Sequence, residues 1–515
     1  MKMGPITPFA GHAARQAPGG VGALARWWPV LVLLSIIPLL YPAVPPLTDL
    51  PAHMSRFMVQ MDGGRTPGIA RWYSFQWNLI SNLGTDLLAW AIEPVLGLEP
   101  AMKAIVILIV ALQSAGYLLL ARAAHGRVTA MALFALPLAY GAPLEHGFLN
   151  FALATALATL ALALWISPRM AARPGLRYGV FSLIACMIWV SHLAGWAVLC
   201  VTVGCCELAA RYERTQRFWV ALAGGFAASS CLLVPQLLSL MWPNAPEHLP
   251  SVGFFRMAEK LYFLFNVLMD RWAMFDTAAA LGLTVLIALT WRSPSFALHK
   301  GLALAAIVLF GLFWLLPGWV FGSYFADMRL LPSVFALAIL AVRPKLEGRR
   351  LTWLAIAGLA FFGVRLAGTT VSMALWDRQF RQDLAVLDSL PRGSQLVSFN
   401  ALPCRTFVQQ GHVRDMHFPS FALTRRHAFA NDQFALSGGQ LMTIHNPAAV
   451  PFDRDPSSIE IGEPCMGTIP LLVSAANVPE AVPYLWILWQ TPERMVPGWR
   501  PVARSGGSVL YRRER

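Results

Sequence analysis

Charge is what this sequence has least of. Charged residues make up 13% of its 515 positions, against about 25% in ordinary soluble domains. Apolar residues reach 57%, more than a water-soluble fold of this size could hide. A cytosolic enzyme, a disordered chain and a secreted miniprotein are thereby excluded. Several chemical signatures are missing too. The chain has no Walker-type phosphate loop, no GxGxxG following a strand and no HExxH, so nucleotide cradles and zincin chemistry have no foothold. Cysteine is sparse: Cys186, Cys200, Cys205, Cys206 and Cys231 lie in apolar runs, Cys404 and Cys465 in the polar C-terminal part. No CxxC pair suggests zinc. Internal repeats and low-complexity tracts are also absent.

What the chain does have is a succession of apolar runs. A first run covers 27–44, and others follow at 102–121, 128–142, 148–166, 178–192, 195–210, 218–241, 276–291, 301–317, 330–343 and 351–371. The first could be a signal peptide, but no small-x-small site follows it, and a retained span is the better reading. The fold class expected is an all-α polytopic membrane protein of about eleven transmembrane helices with a small C-terminal α/β domain. Its parts are a tail at 1–26, a body at 27–375 that includes a large loop at 45–100, and an outer domain at 376–515. Within the latter, Asp377–Leu390 has a helical pattern, and Leu396–Phe399, Tyr484–Trp489 and Ser508–Tyr511 read as strands.

The formal net charge of +14 would suggest a nucleic-acid partner in a soluble protein. Here the basic residues sit in short connections between apolar runs. Arg122, Arg127, Arg169, Arg173, Arg177, Arg211, Arg214 and Arg217 fall in alternate connections, which is the positive-inside pattern. It places the N-terminus inside and, with an odd number of spans, the C-terminal part outside. The partner implied is a membrane lipid, not a nucleic acid.

The chemically informative string is Asp49-Leu50-Pro51-Ala52-His53, just after the first run. Asp49 sits where a helix N-cap would be. His53 and Arg56 share one face of the helix it starts. Read blandly, this is a capped helix lying at the membrane surface with a solvated basic face. Other polar groups on the same side are His192, Arg256, Lys260, Asp327 and Arg329. Arg56, Arg256 and Lys260 could be interfacial snorkelers, and His192 could cap a helix hairpin. Asp327 and Arg329, where a span begins, either satisfy each other or hold a ligand.

With these strings come Asn82-Leu83-Gly84-Thr85-Asp86, Gly147-Phe148-Leu149-Asn150-Phe151, Ser191-His192-Leu193 and Asp327-Met328-Arg329-Leu330. Together with the layout they resemble the GT-C superfamily of integral-membrane glycosyltransferases. The resemblance covers most of the chain in layout and only these short strings in sequence. It implies a polyprenyl-phosphate sugar donor, an envelope acceptor and a place in the bacterial inner membrane. Carried onto this chain, it makes Asp49 the candidate base. His53, Arg56, His192, Arg256, Lys260, Asp327 and Arg329 are then candidates around the substrate and its leaving phosphate. The family's loop carries a pair of acidic residues where this chain has a single Asp followed by Pro and His. No cofactor is therefore certain, and a divalent cation stays open. The competing classes are a transporter or flippase of lipid-linked sugars and a non-catalytic envelope assembly or sensor protein. Transporters tend to place their charges in mid-membrane and to show repeats.

An outer domain in an oxidising compartment makes Cys404 and Cys465 a candidate disulfide. The orientation itself has a direct check. A reporter active only outside the cytoplasm should be active when fused after Arg515 and silent when fused at Arg214; the reverse pattern would place Asp49 inside.

Overall fold

The computed structural model describes residues 24–241, 250–402, 413–435, 439–452, 459–461, 471–489 and 496–514. Cys404 and Cys465 lie outside the described residues. Each apolar run expected to span the bilayer falls on helical structure. Six helices, Leu98–His125, Pro174–Ser191, Leu193–Thr215, Phe218–Leu240, Ala273–Arg292 and Gly348–Ser389, are long and apolar enough to cross a membrane. Four shorter apolar ones, Ala132–Glu145, Leu149–Trp165, Lys300–Leu315 and Met328–Leu340, pack among them. Helices Leu98–His125 and Leu149–Trp165 run against each other, and Leu193–Thr215 packs on Leu149–Trp165, Phe218–Ser229 and Lys300–Leu315. The long apolar stretch after Arg177 breaks at His192, whose backbone is extended (φ −166°, ψ 128°).

The last helix is continuous from Gly348 to Leu384. Its 37 residues reach about 55 Å at 1.5 Å each, well beyond a hydrocarbon core of about 30 Å. The boundary expected at 375/376 therefore falls inside one helix. Nothing between Val371 and Leu384 can break it, since the stretch has neither Gly nor Pro. Its far end, through Trp376, Asp377, Phe380 and Asp383, is buried.

A five-stranded sheet forms the C-terminal part, in the order Trp499–Ser505, Ser508–Arg513, Tyr484–Leu488, Leu396–Leu402, Ile459–Ile461. The first three strands pair antiparallel. Leu396–Leu402 is parallel to Tyr484–Leu488 and to Ile459–Ile461. The three strands anticipated from the sequence are all present.

The first loop belongs to this part as much as to the body. Its strand Tyr73–Phe75 pairs antiparallel with Met442–Ile444. Val59, Ile69, Trp72 and Tyr73 share a core with Val397, Phe399, Phe429 and Leu485. The helix Leu50–Asp62 consequently does not present a solvated basic face. Ten of its thirteen residues are buried, with Phe418–Ser420 and Phe421–Arg426 packed on one side and Leu98–His125 on the other.

A buried ion cluster joins the two parts. Arg414, fully buried, donates to the Pro46 carbonyl at 2.6 Å and to Asp270 at 2.6 Å, and lies 2.5 Å from Glu145. Ser372 also donates to Asp270, and Arg365 pairs with Asp276 at 2.7 Å. Removing the guanidinium would strand two carboxylates in the interior. Arg414→Leu is expected to cost about 3–5 kcal/mol, seen as a large drop in the Tm of the detergent-purified protein. Arg426→Ala, at a pair whose Asp388 is 87% exposed, should change stability by less than about 1 kcal/mol.

Candidate active site

The strings singled out in the sequence come together. Asp49 starts the helix Leu50–Asp62, but its side chain makes no capping bond, so the role first suggested for it is not the one it has. Its backbone N–H instead bonds the His146 carbonyl at 2.9 Å, and the Thr48 N–H bonds that of Glu145. Gly147 has φ +83°, and a Cβ there would lie 2.8 Å from the Asp49 nitrogen; only glycine lets this turn press so closely on Asp49. Gly84 is as tightly placed, since a Cβ would lie 2.8 Å from that of Ser191. The Leu83 N–H bonds the Val190 carbonyl, and the Leu193 N–H bonds that of Ser81. Asn150 accepts from the Thr85 N–H at 2.6 Å and donates to the Asn82 carbonyl at 2.8 Å.

Three of the cations are held by carboxylates. Arg56 forms a buried ion pair with Asp86, to which Asn150 also donates. Its Nη2 lies 3.4 Å from Nδ1 of His53. A guanidinium only donates, so Nδ1 is the acceptor and His53 is neutral. Burial first, then the charges of Arg56 and His417, hold its pKa well below the ordinary value, against a bond to the Gly147 carbonyl. Lys260 is buried, and its three donors are used on Asp327 at 2.6 Å and on the Phe313 and Leu316 carbonyls. Arg256 is half exposed and pairs with Glu259 on its own helix. Neither Lys260 nor Arg256 joins the group around Asp49.

Arg329 and His192 differ from these. Nδ1 of His192 accepts from the Ala194 N–H at 3.1 Å, so in the neutral ring the proton is on Nε2. That N–H faces Nη1 of Arg329 at 3.4 Å: donor meets donor. Arg329 stacks on Phe148 at 3.8 Å, and its Nη2 donates to the Tyr324 carbonyl. Its Nε is buried with no partner among the described residues, as are those of Arg56, Arg365 and Arg414. What is particular here is the meeting of Arg329 Nη1 and His192 Nε2: two convergent donors with no acceptor between them make a place for an anion.

Asp49 completes the site. Arg329 and Asp49 feel each other's charge. Burial raises the Asp49 pKa to about 7, the Arg329 charge lowering it only in part. Its side chain still keeps 14% of its surface open, enough for a substrate atom to reach it. On the other flank stands His417 from the C-terminal part, with Nε2 3.8 Å from the Asp49 carboxylate.

The fold can be compared once this arrangement is known. It is similar to the crystal structure of ArnT from Cupriavidus metallidurans in the apo state, with a TM-score of 0.50 and 15% identity over 95% of this chain and 97% of that one. The same protein bound to undecaprenyl phosphate aligns over 96% and 98%, with a TM-score of 0.48 and 13% identity. The chain has an ArnT-like fold. No protein-family model matches it, and no curated protein matches it in sequence. Among the described residues that fold carries six helices long and apolar enough to cross a membrane and a small C-terminal sheet.

Sequence reasoning missed Asp86 and Arg414 as structural supports, although the first lies in a string it had noted. It missed His417 altogether. The only signal was a dense polar run, Arg414-Asp415-Met416-His417, in an otherwise unremarked segment. Among the described residues no group of three or more His, Cys, Asp or Glu is placed to hold a metal ion. A cavity of about 340 Å³ lies elsewhere, between Gln382, Asp383, Trp489 and Gly506, and holds none of the candidate residues.

The raised pKa of Asp49 has a sign that can be measured. Between about 4 and about 7 the folded protein holds a proton there that the unfolded chain has lost. The stability tied to this group is full below the unfolded pKa and is lost as pH rises through 7. Asp415 and Asp432 are raised to about 7 by burial as well, so the comparison must be a difference. The unfolding free energy of Asp49→Asn minus that of wild type should grow from pH 4 to pH 8, toward a few kcal/mol at most. A difference independent of pH would contradict the assignment.

Proposed function

We propose that the chain is a membrane glycosyltransferase that moves a sugar from a polyprenyl-phosphate donor to an envelope acceptor on the outer face of a bacterial inner membrane. The observation that carries this reading is the pairing of unlike needs in one place. Arg329 and His192 converge as donors lacking an acceptor, beside a carboxylate poised near neutrality. A leaving phosphate needs the first, and an acceptor hydroxyl that must lose its proton needs the second.

The step follows from these two groups. Asp49 takes the proton from the acceptor hydroxyl as the oxygen attacks the sugar's anomeric carbon. The bond from that carbon to the phosphate oxygen breaks, and its electron pair leaves on the phosphate. The guanidinium of Arg329 and the Nε2–H of His192 hold the charge that develops there. Arg56 and Lys260 act behind the site, fixing Asp86 and Asp327.

The test uses the protein in liposomes with a panel of undecaprenyl-phosphate sugars and an envelope-derived lipid or glycan fraction. Asp49→Asn is nearly the same size, so folding should survive while transfer falls about 10²-fold or more. Arg329→Met should lower kcat by a similar factor. Lys260→Met should instead act through stability, lowering Tm and yield. Undiminished transfer by a well-folded Asp49→Asn protein would sink the reading. Donor translocation across the bilayer without transfer would favour a flippase.

A further inference from the structure

We propose that His417 is the proton-accepting partner of Asp49, so that the base of the site is an Asp–His pair drawn from two distant parts of the chain. This rests on the glycosyl-transfer reading of the same site and adds to it a group acting through Asp49, not on the substrate. Nδ1 of His417 lies 3.2 Å from the Asp432 carbonyl. A carbonyl only accepts, so the Nδ1 proton is fixed there, and in the neutral ring Nε2 is an acceptor. That nitrogen is the one 3.8 Å from Asp49 Oδ1. Two acceptors facing each other repel unless a proton lies between them. The gap is within one side-chain adjustment of a hydrogen bond, and such contacts often close only when substrate binds.

The ring is held for this task. Phe434 lies against it at 4.5 Å between centroids. The Asp432 side chain accepts from the Ser420 N–H and hydroxyl, which fixes the backbone carbonyl that His417 uses. The charged and titratable groups around the pair are Arg329 and His192 from the body, His53 and Arg56 from the helix Leu50–Asp62, and Asp432 behind His417. Arg329 attracts the Asp49 carboxylate as well.

The balance is simple. The acceptor O–H bond breaks and its proton goes to Asp49. The bond from acceptor oxygen to sugar forms as the bond from sugar to phosphate breaks, the electron pair leaving on the phosphate. The proton then passes from Asp49 to Nε2 of His417, giving an imidazolium beside a restored carboxylate, and from there to solvent.

Two measurements decide it. Protein labelled with ¹⁵N in histidine, in lipid nanodiscs, is titrated from pH 5 to 9, and the His417 ring signals are assigned with His417→Gln. Asp49→Asn removes the facing negative charge, so the His417 midpoint should fall by about one pH unit. A midpoint that stays within about 0.2 unit overturns the pairing; this arm needs no activity. In the transfer assay, His417→Gln should lower kcat about tenfold or more with KM changed less than twofold, and should shift the acid limb of the kcat profile. His417→Asn covers the case in which the Gln variant does not fold. A purely structural histidine would lower Tm and yield but leave the pH limb in place, and that result would also overturn the proposal. If wild type transfers from none of the donors, the glycosyl-transfer reading fails while the titration still decides whether the pair exists.

Discussion

A charge taken out of water has to meet its opposite, and that requirement shapes most of this structure. Arg56 meets Asp86, Lys260 meets Asp327, Arg365 meets Asp276, and Arg414 meets Glu145 and Asp270. Breaking any such buried pair leaves an uncompensated ion and costs several kcal/mol. The pairs are also where separate parts of the chain are joined. Arg414 comes from the C-terminal part, while its partners and the Pro46 carbonyl belong to the body and the first loop. Against this background Asp49 and Arg329 stand out. They sense each other's charge, yet among the described residues neither has an opposite ion within hydrogen-bond distance: His417 lies 3.8 Å from Asp49, and His192 lies 3.4 Å from Arg329.

The C-terminal part is consequently a wall of the site. The segment 413–417 supplies three contacts to one short stretch of the first loop. The Val413 carbonyl accepts from Thr48, Arg414 holds Pro46, and His417 faces Asp49. The strand pair Tyr73–Phe75 with Met442–Ile444 and the shared core around Trp72 and Phe429 keep that wall in register. The helical body alone leaves one side of Asp49 uncovered.

The helical body was legible because apolar runs of bilayer length have few alternatives in water. Asp49, His192 and Arg329 were legible because each lies where an apolar run meets a turn. Position alone did not say what each cation pairs with. Lys260 and Arg256 look alike in sequence, but one is buried with all three donors spent and the other is exposed beside Glu259. The first-loop helix looked like a surface helix because its pattern is amphipathic; its polar face is buried, with Arg56 satisfied by Asp86 from beyond the next turn. The fall in hydropathy near Trp376 looked like a domain boundary, although a run of good helix formers carries the helix through it. Arg414 and His417 were out of reach, since contacts across the whole chain leave no local period.

The central claim is that Arg329 and His192 form an anion site with Asp49 at its open side. An electron cryo-microscopy structure of the protein in nanodiscs with undecaprenyl phosphate tests it most directly. The account predicts phosphate density within hydrogen-bond distance of the Arg329 guanidinium and of Nε2 of His192, with the Lys260–Asp327 pair intact. Phosphate density at Arg256 or Lys260, with Arg329 and His192 untouched, would contradict it.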